Sequence, residues 1–377
     1  MFLDFASQIA SNPLGYNHPE LLKVVKQYAS SHPIKYAGQD FGIPEHLELL
    51  ESLLSITPKP LDAAFLINSG AEAVENAIKI CLRARPAAKF GISFQDAFHG
   101  RTLGALSATN SKPVHKKNYW TFPMQRLPFN ASAADELKDT IAREGSAENV
   151  GFVILESVQG EGGYHIPSGQ MIRSVKKVCQ EQNIPYIADE VQSGMGRTGE
   201  WWAFQHFGIV PDVFSSAKAL QVAATVAKKS YFPEDGAISS TWGGGHRLDL
   251  ALGCKIIEII KKEKLLPHIK KQGLYLKKCV HDLPEIRNPR GLGLMVAFDL
   301  ASKELRNNVI AACLQQGLVV LGCGTAGIRL VPPYILTEKE SNQACDILEK
   351  SIKLCTEPGF KHKENICNYL TCGEHHT

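Results

Sequence analysis

IPYIADEVQSGMGRTG, residues 184–199, decides how the chain is read. Its first half is an apolar run that ends in two adjacent carboxylates, Asp189 and Glu190, and its second half spaces Gly194, Gly196 and Gly199 as G-x-G-x-x-G. A strand running into such a fingerprint can mark a dinucleotide site, where backbone N–H groups approach a pyrophosphate. Carboxylates between strand and loop would repel that anion, and the next segment, EWWAFQHFG (200–208), is too short and aromatic for the helix that should receive it. The ligand must therefore want an acid at the strand end. The glycines are expected to form a tight turn that lets backbone pass close to it.

Working outward, strands alternate with helices, the pattern of an α/β fold with a mostly parallel sheet. AAFLIN (63–68), KFGISF (89–94), GFVILE (151–156), PYIADE (185–190) and DVFSS (212–216) are the strand candidates. Between the first two, Ala71, Val74, Ile78 and Cys81 recur every three or four residues on one helical face. From about Asp249 the texture changes to long helices, with a short strand in GLMVAFDL and a terminal helix after Pro333. The expected organisation is a large domain over 33–248, a smaller α+β domain from 1–32 and 249–354, and a disordered tail over 355–377.

Composition narrows the function classes. The chain has 377 residues, 44% hydrophobic and 21% charged, with a formal net charge of +3, so no basic domain points to nucleic acid. The lysine-rich stretch 255–278 alternates with apolar residues at helical spacing and reads as a solvated helix face. No apolar run approaches the roughly 20 residues that span a bilayer, and the N-terminus lacks a basic segment followed by a long apolar one. A soluble, cytoplasmic protein is expected. The ten cysteines have no repeating spacing and are read as reduced; Cys367, Cys372, His375 and His376 lie in a polar tail, and no metal site is expected.

In an open α/β sheet the ligand binds outside the carboxyl ends of the strands, so the residues just past each strand are informative. Ser69, Gly70 and Ala71 open a helix and offer free N–H groups to a phosphate. Phe98, His99 and Arg101 come after the next strand, Gln159 to Gly163 after the third, Asp189 and Gln192 at the end of the fourth, and Lys218 after the fifth. A phosphate cup, an aromatic plate, a carboxylate and a lysine together suit pyridoxal phosphate, which needs an amine for its aldehyde, an acid for its ring nitrogen and an anchor for its phosphate. Lys228 and Lys229 compete with Lys218, but as a pair before Tyr231 they read as a solvated turn.

The pieces NSGAEAVENAIK, FHGRTLGALSATNSK, ESVQGEGG, ADEVQSGMGRTG, SSAKALQ, SSTWGGG and IRLVPP, in that order, resemble the class III (ω-amino acid) pyridoxal-phosphate aminotransferases, nearest the 4-aminobutyrate and lysine 6-aminotransferases. The resemblance covers about 2–351 and implies fold type I. It implies Lys218 as the Schiff-base lysine, Asp189 on the pyridine nitrogen and Gln192 near the ring hydroxyl. Ser69, Gly70 and Ala71 are implied at the phosphate, with Phe98 stacked on the ring and His99 beside it, and Thr241 reaching the phosphate of the neighbouring subunit in a homodimer. Arg101 is implied for the carboxylate of an ω-amino donor, Arg329 for the α-carboxylate of glutamate or 2-oxoglutarate, and Glu161 as the residue that neutralises Arg329 when that carboxylate is absent. The implied reaction is a ping-pong transfer of an amino group from an ω-amino acid to a 2-oxo acid.

Some pieces depart from the family. Ser157 stands where proline is common, KALQVAATVAKK lacks the glycines usual after the lysine, and the chain opens at MFLDF with less sequence upstream than the family carries. Lys-x-x-Gln221-Val222 leans toward the lysine branch and FHGRTLGALSATNSKPVHK toward 4-aminobutyrate, which leaves the donor open. A racemase or epimerase on the same fold, and a cofactor-binding protein without turnover, stand as the alternatives.

Overall fold

A computed structural model describes residues 1–31, 42–238, 244–357 and 360. After a two-residue strand β1 (Leu3–Asp4), the chain builds a seven-stranded sheet from β2 (Ala63–Ile67), β3 (Phe90–Phe94), β4 (Met124–Leu127), β5 (Val150–Glu156), β6 (Tyr186–Asp189), β7 (Val213–Ser216) and β8 (Ala223–Ala227). Their order across the sheet is β2-β8-β7-β6-β5-β3-β4. β3, β5 and β6 are buried along their whole length, as expected of strands covered on both faces. The five strands anticipated from the sequence are all present. β4, a short polar edge strand, and β8, AATVA, carry too weak an alternation to be read.

Among these seven strands only β8 runs against its neighbours, pairing antiparallel with both β2 and β7. The other pairs are parallel. Because β8 alone is reversed, β2 still points the same way as β3 and β5 to β7, and their carboxyl ends share one edge of the sheet. The same reversal carries Lys228 and Lys229, just after β8, to the opposite edge, where both are exposed.

Helices pack on the faces. Gly70–Arg83 starts at Ser69, whose side chain accepts from Glu72 N at 3.3 Å, and buries Val74, Ala77, Ile78 and Cys81. The remaining strands β9 (Arg287–Leu292), β10 (Met295–Asp299), β11 (Leu318–Val319), β12 (Leu321–Cys323) and β13 (Gly327–Leu330) form an antiparallel sheet in the order β12-β13-β10-β9, with β11 set apart and paired parallel to β1. The lysine-rich stretch is two helices rather than one, Arg247–Lys262 and Leu265–His281, broken where Lys264 turns left-handed at φ 53°. Its lysines face outward, while Ile256, Ile257, Ile260, Ile269 and Leu276 enter the core. Thr241 and the tail beyond 360 lie outside the described residues. The eight described cysteines are free thiols. Among the described residues no helix is long and apolar enough to cross a membrane, and no cluster of three or more His, Cys, Asp or Glu could hold a metal.

Candidate active site

The common edge of the sheet opens on a cavity of about 1010 Å³ lined by Ser69, Gly70, Ala71, Phe98, His99, Arg101, Glu161, Asp189, Gln192 and Lys218. Residues as far apart as Ser69 and Lys218 meet there because each comes just after a strand that ends at that edge. Arg329 arrives from the other sheet, on β13, and touches the group through Glu161: Arg329 Nη2 donates to Glu161 Oε1 at 2.5 Å across 168 positions of sequence.

Asp189 ends β6 and is buried. A carboxylate only accepts, so His99 Nδ1 carries the hydrogen of the 2.7 Å contact to Asp189 Oδ2. Asp189 Oδ1 accepts from Val191 N at 3.0 Å and from Ser215 Oγ at 3.3 Å. These three contacts fix the orientation of the carboxyl at the end of the strand.

Its neighbour Glu190 turns the other way. It accepts from Ser157 Oγ at 2.5 Å, Ser193 Oγ at 3.1 Å, Ala203 N at 2.8 Å and Phe204 N at 3.1 Å. Burial raises its carboxyl to about 7 against the pull of those donors. The two adjacent acids thus divide, one aimed at the cavity and one tying the loop to the turn at 203–207, with Ser157 supplying one of the ties.

The glycine turn lies away from the cavity, not beside it as its spacing suggested. None of Gly194, Gly196 and Gly199 lines the cavity. Gly196 and Gly199 have φ of 93° and 89°, and a Cβ on Gly199 would fall 2.3 Å from Lys270 Cγ. These glycines let the loop pack against the helix Leu265–His281 and bring Arg197 over the Tyr334 ring at 4.5 Å, where it donates to Pro332 O. Their close approach is to protein, not to ligand.

Lys218 comes after β7 with φ 50°, and its Nζ donates to Ile9 O at 2.8 Å. Burial, helped by Arg329, lowers its amine to about 8, which leaves a sizeable fraction uncharged near neutral pH. Burial works against the Glu161 charge as well, yet the Arg329 guanidinium holds that carboxyl below its ordinary range. Arg329 keeps Nε and Nη1 buried without hydrogen-bond partners. Arg101 is exposed at the mouth of the cavity.

Sequence reasoning missed Glu156, the end of β5. It lines the cavity beside Asp189, its register partner, and accepts from Phe98 N at 2.9 Å and Gly160 N at 2.8 Å. Burial first, and then Asp189, raises it to about 8. His115 was missed too; it lines the cavity with its ring 5.6 Å from that of Phe98. The acid closing GFVILE was a readable signal for Glu156, whereas His115 sits in a connecting segment with none.

The chain matches the family model Aminotransferase class-III over residues 1–352. It belongs to the class III aminotransferases. This aminotransferase is 32% identical to the acetylornithine aminotransferase of Methanosarcina mazei over 356 residues, covering 93% of this chain and 87% of that one. It is 30% identical to a probable 4-aminobutyrate aminotransferase of Bacillus subtilis, covering 93% and 89%. The lysine aminotransferase of M. tuberculosis shares its fold with a TM-score of 0.88 at 26% identity, covering 94% of this chain and 91% of that one.

The cofactor of the class is pyridoxal phosphate, and the residues present fit it. Among the described residues the N–H groups of Gly70 and Ala71 have no protein acceptor, as the first turn of a helix dictates. A Cβ on Gly70 would stand 2.7 Å from Val191 Cγ1, so the cup closes only around glycine. Gln192 Oε1 is buried without a partner on the cavity wall, and Lys218 reaches the same space.

Proposed function

We propose that this aminotransferase takes the distal amino group of an ω-amino acid, 4-aminobutyrate or a lysine- or ornithine-like diamino acid, and passes it to 2-oxoglutarate, releasing a semialdehyde and glutamate. The observation that carries this reading is the Glu161–Arg329 pair at the cavity wall. An arginine with two unengaged N–H positions suits bidentate capture of the α-carboxylate of an acceptor. A donor whose reacting end lacks that carboxylate leaves Arg329 needing a partner, and Glu161 is within hydrogen-bond distance to be it.

In the roles proposed, Gly70 and Ala71 hold the cofactor phosphate with Ser69, Phe98 covers one ring face, Gln192 meets the ring hydroxyl, and Asp189, braced by His99, faces the ring nitrogen. Pyridoxal phosphate, when bound, supplies the electron sink and the carrier for the amino group. Lys218 would hold the cofactor through its amine and, when free of it, would carry the proton removed from the substrate carbon. Arg101 at the mouth takes the far carboxylate of the ω-amino donor. The large domain is placed at 33–248 and the small one at 1–32 with 249–354.

A homodimer with a shared site completes the proposal, Thr241 serving the cofactor phosphate of the neighbouring subunit. Its support is a set of exposed large apolar side chains in the segment after Arg101: Leu103, Val114, Tyr119 and Phe122, with Trp120 92% exposed. Large apolar side chains left in water suit a surface that is covered by association.

The test is to incubate purified protein separately with 4-aminobutyrate, lysine, ornithine and N-acetylornithine, each with 2-oxoglutarate, and to measure glutamate. Glutamate from at least one donor is expected. Inversion of an amino-acid stereocentre with no need for a 2-oxo acid, or cofactor loading without turnover, would each defeat the proposal.

A further inference from the structure

Four consecutive residues near the N-terminus, Ser7, Gln8, Ile9 and Ala10, hold φ of 44°, 49°, 60° and 67°, and none is glycine. L-residues visit the left-handed region singly, because Cβ crowds the following carbonyl oxygen, so a run of four persists only where its surroundings over-determine it. Asp4 Oδ1 accepts from Ala6 N at 2.8 Å and Ser7 N at 2.9 Å, Ala10 N donates to Ala6 O at 3.1 Å, and Asn12 N donates to Ser7 O at 3.0 Å. Ser7 and Ala10 are buried. Gln8, Ile9 and Ser11 line the cavity, so this strap is one of its walls.

The strap meets a second strained turn. Lys218 and Gln221 are left-handed, at φ 50° and 71°, and again neither is glycine. Their side chains cross to the strap, Lys218 Nζ to Ile9 O at 2.8 Å and Gln221 Nε2 to Ser11 O at 3.0 Å. Gln221 Nε2 also lies 3.2 Å from Lys218 O, so one amide group bridges the lysine's own backbone to the strap. A glycine at 221 would adopt the turn without strain; what glutamine adds is this bridge.

We propose that Gln221 is a positioning residue that latches the N-terminal strap to the lysine turn, so that the Ile9 carbonyl receives the Lys218 ammonium whenever the lysine is free of the cofactor. The strap then defines where the freed amine rests between proton transfers. Burial is the largest influence on the Lys218 charge, ahead of Arg329, Glu161, Asp189 and Arg197, so a strap that opens admits water to the amine and raises the pH at which Lys218 loses its charge. The functional part of this inference rests on the role proposed above for Lys218, while the latch itself is testable without it.

The test compares wild type with Gln221→Gly and Gln221→Glu. Glycine removes both the strain and the donor; glutamate keeps the side-chain length but at neutral pH has no N–H to give. Hydrogen exchange measured by mass spectrometry on a peptide spanning Ala10 and Asn12 is expected to speed up at least tenfold in both variants, although Gln221→Gly melts no lower than wild type. In the cofactor-free proteins, the rate of covalent uptake of pyridoxal phosphate by Lys218, trapped with borohydride, is expected to reach half its maximum at a higher pH in both variants. Unchanged exchange at Ala10 and Asn12 would overturn the latch, and faster exchange with an unmoved uptake profile would overturn its hold on Lys218. Trapping of pyridoxal phosphate on a lysine other than Lys218 would defeat the reading of Lys218 while leaving the exchange result to judge the latch.

Discussion

Replacing Glu156 by glutamine should remove a pH-dependent loss of stability, so that the order of stability of variant and wild type inverts as pH rises. Glu156 is 6% exposed, has no cationic partner among the described residues, and sits in register with Asp189. Its carboxyl is raised from 4.5 to about 8, chiefly by burial. Between those values the folded protein keeps a proton that the unfolded chain has already lost, so stability falls as pH rises and levels off above about 8. At about 1.4 kcal/mol per pH unit the whole window is worth about 5 kcal/mol. Glutamine does not titrate, so the variant escapes that loss. It cannot, however, accept from both Phe98 N and Gly160 N, and one buried N–H left unsatisfied costs about 1–3 kcal/mol at every pH. The variant should therefore be the less stable protein by about 1–3 kcal/mol at pH ~4, and the more stable by about 2–4 kcal/mol at pH ~9. Glu190, which titrates in the same region, is present in both proteins and cancels. Urea unfolding of the cofactor-free proteins, monitored by tryptophan fluorescence across this range, gives the difference directly. A constant offset between the two curves would mean that Glu156 is ionised in the folded protein, and the picture of a neutral Glu156 at the cavity floor would fall.

Glu161→Gln leaves the Arg329 charge without its partner when an ω-amine occupies the site, so stopped-flow half-reactions should show a loss on the order of a hundredfold with 4-aminobutyrate and much less with 2-oxoglutarate; equal losses would make Glu161 structural. Gly70→Ala places a methyl 2.7 Å from Val191 Cγ1 at the mouth of the phosphate cup, and dialysis should strip cofactor from it at least tenfold faster, while retention equal to wild type would move the phosphate elsewhere. Dilution below the dimer dissociation constant should release cofactor and activity together, and Thr241→Val should weaken retention without altering the chemistry at Lys218; a monomer with full activity and tightly held cofactor would refute the shared site.

Much of the fold is local in origin and could be read directly. The buried strands β3, β5, β6 and β7 are short apolar runs bounded by turn residues, and the helix Gly70–Arg83 announces itself by its cap at Ser69 and its apolar face. Rules for open sheets then bring Phe98, Asp189 and Lys218 to one edge before any coordinate is known, because each stands at the end of a strand of the same direction. The reading failed where direction or pairing depended on distant chain. Nothing local in AATVA says that β8 runs antiparallel, yet that reversal sends Lys228 and Lys229 to the far edge.

The glycines of residues 194–199 show the same division. Their spacing determines a tight turn, but whether the backbone comes close to a ligand or to the helix Leu265–His281 depends on which surface tertiary packing sets against it. Asp189 and Glu190 are neighbours in sequence with opposite fates, decided by strand alternation and by donors from Ser157, His99 and the turn at 203–207. The pairing of Arg329 with Glu161 and the contact of Ile9 with Lys218 join segments more than 160 residues apart. Composition and periodicity act over one or two turns of chain; charge compensation and backbone contacts between such distant segments exist only once the sheets have packed, and so the tertiary structure alone decided them.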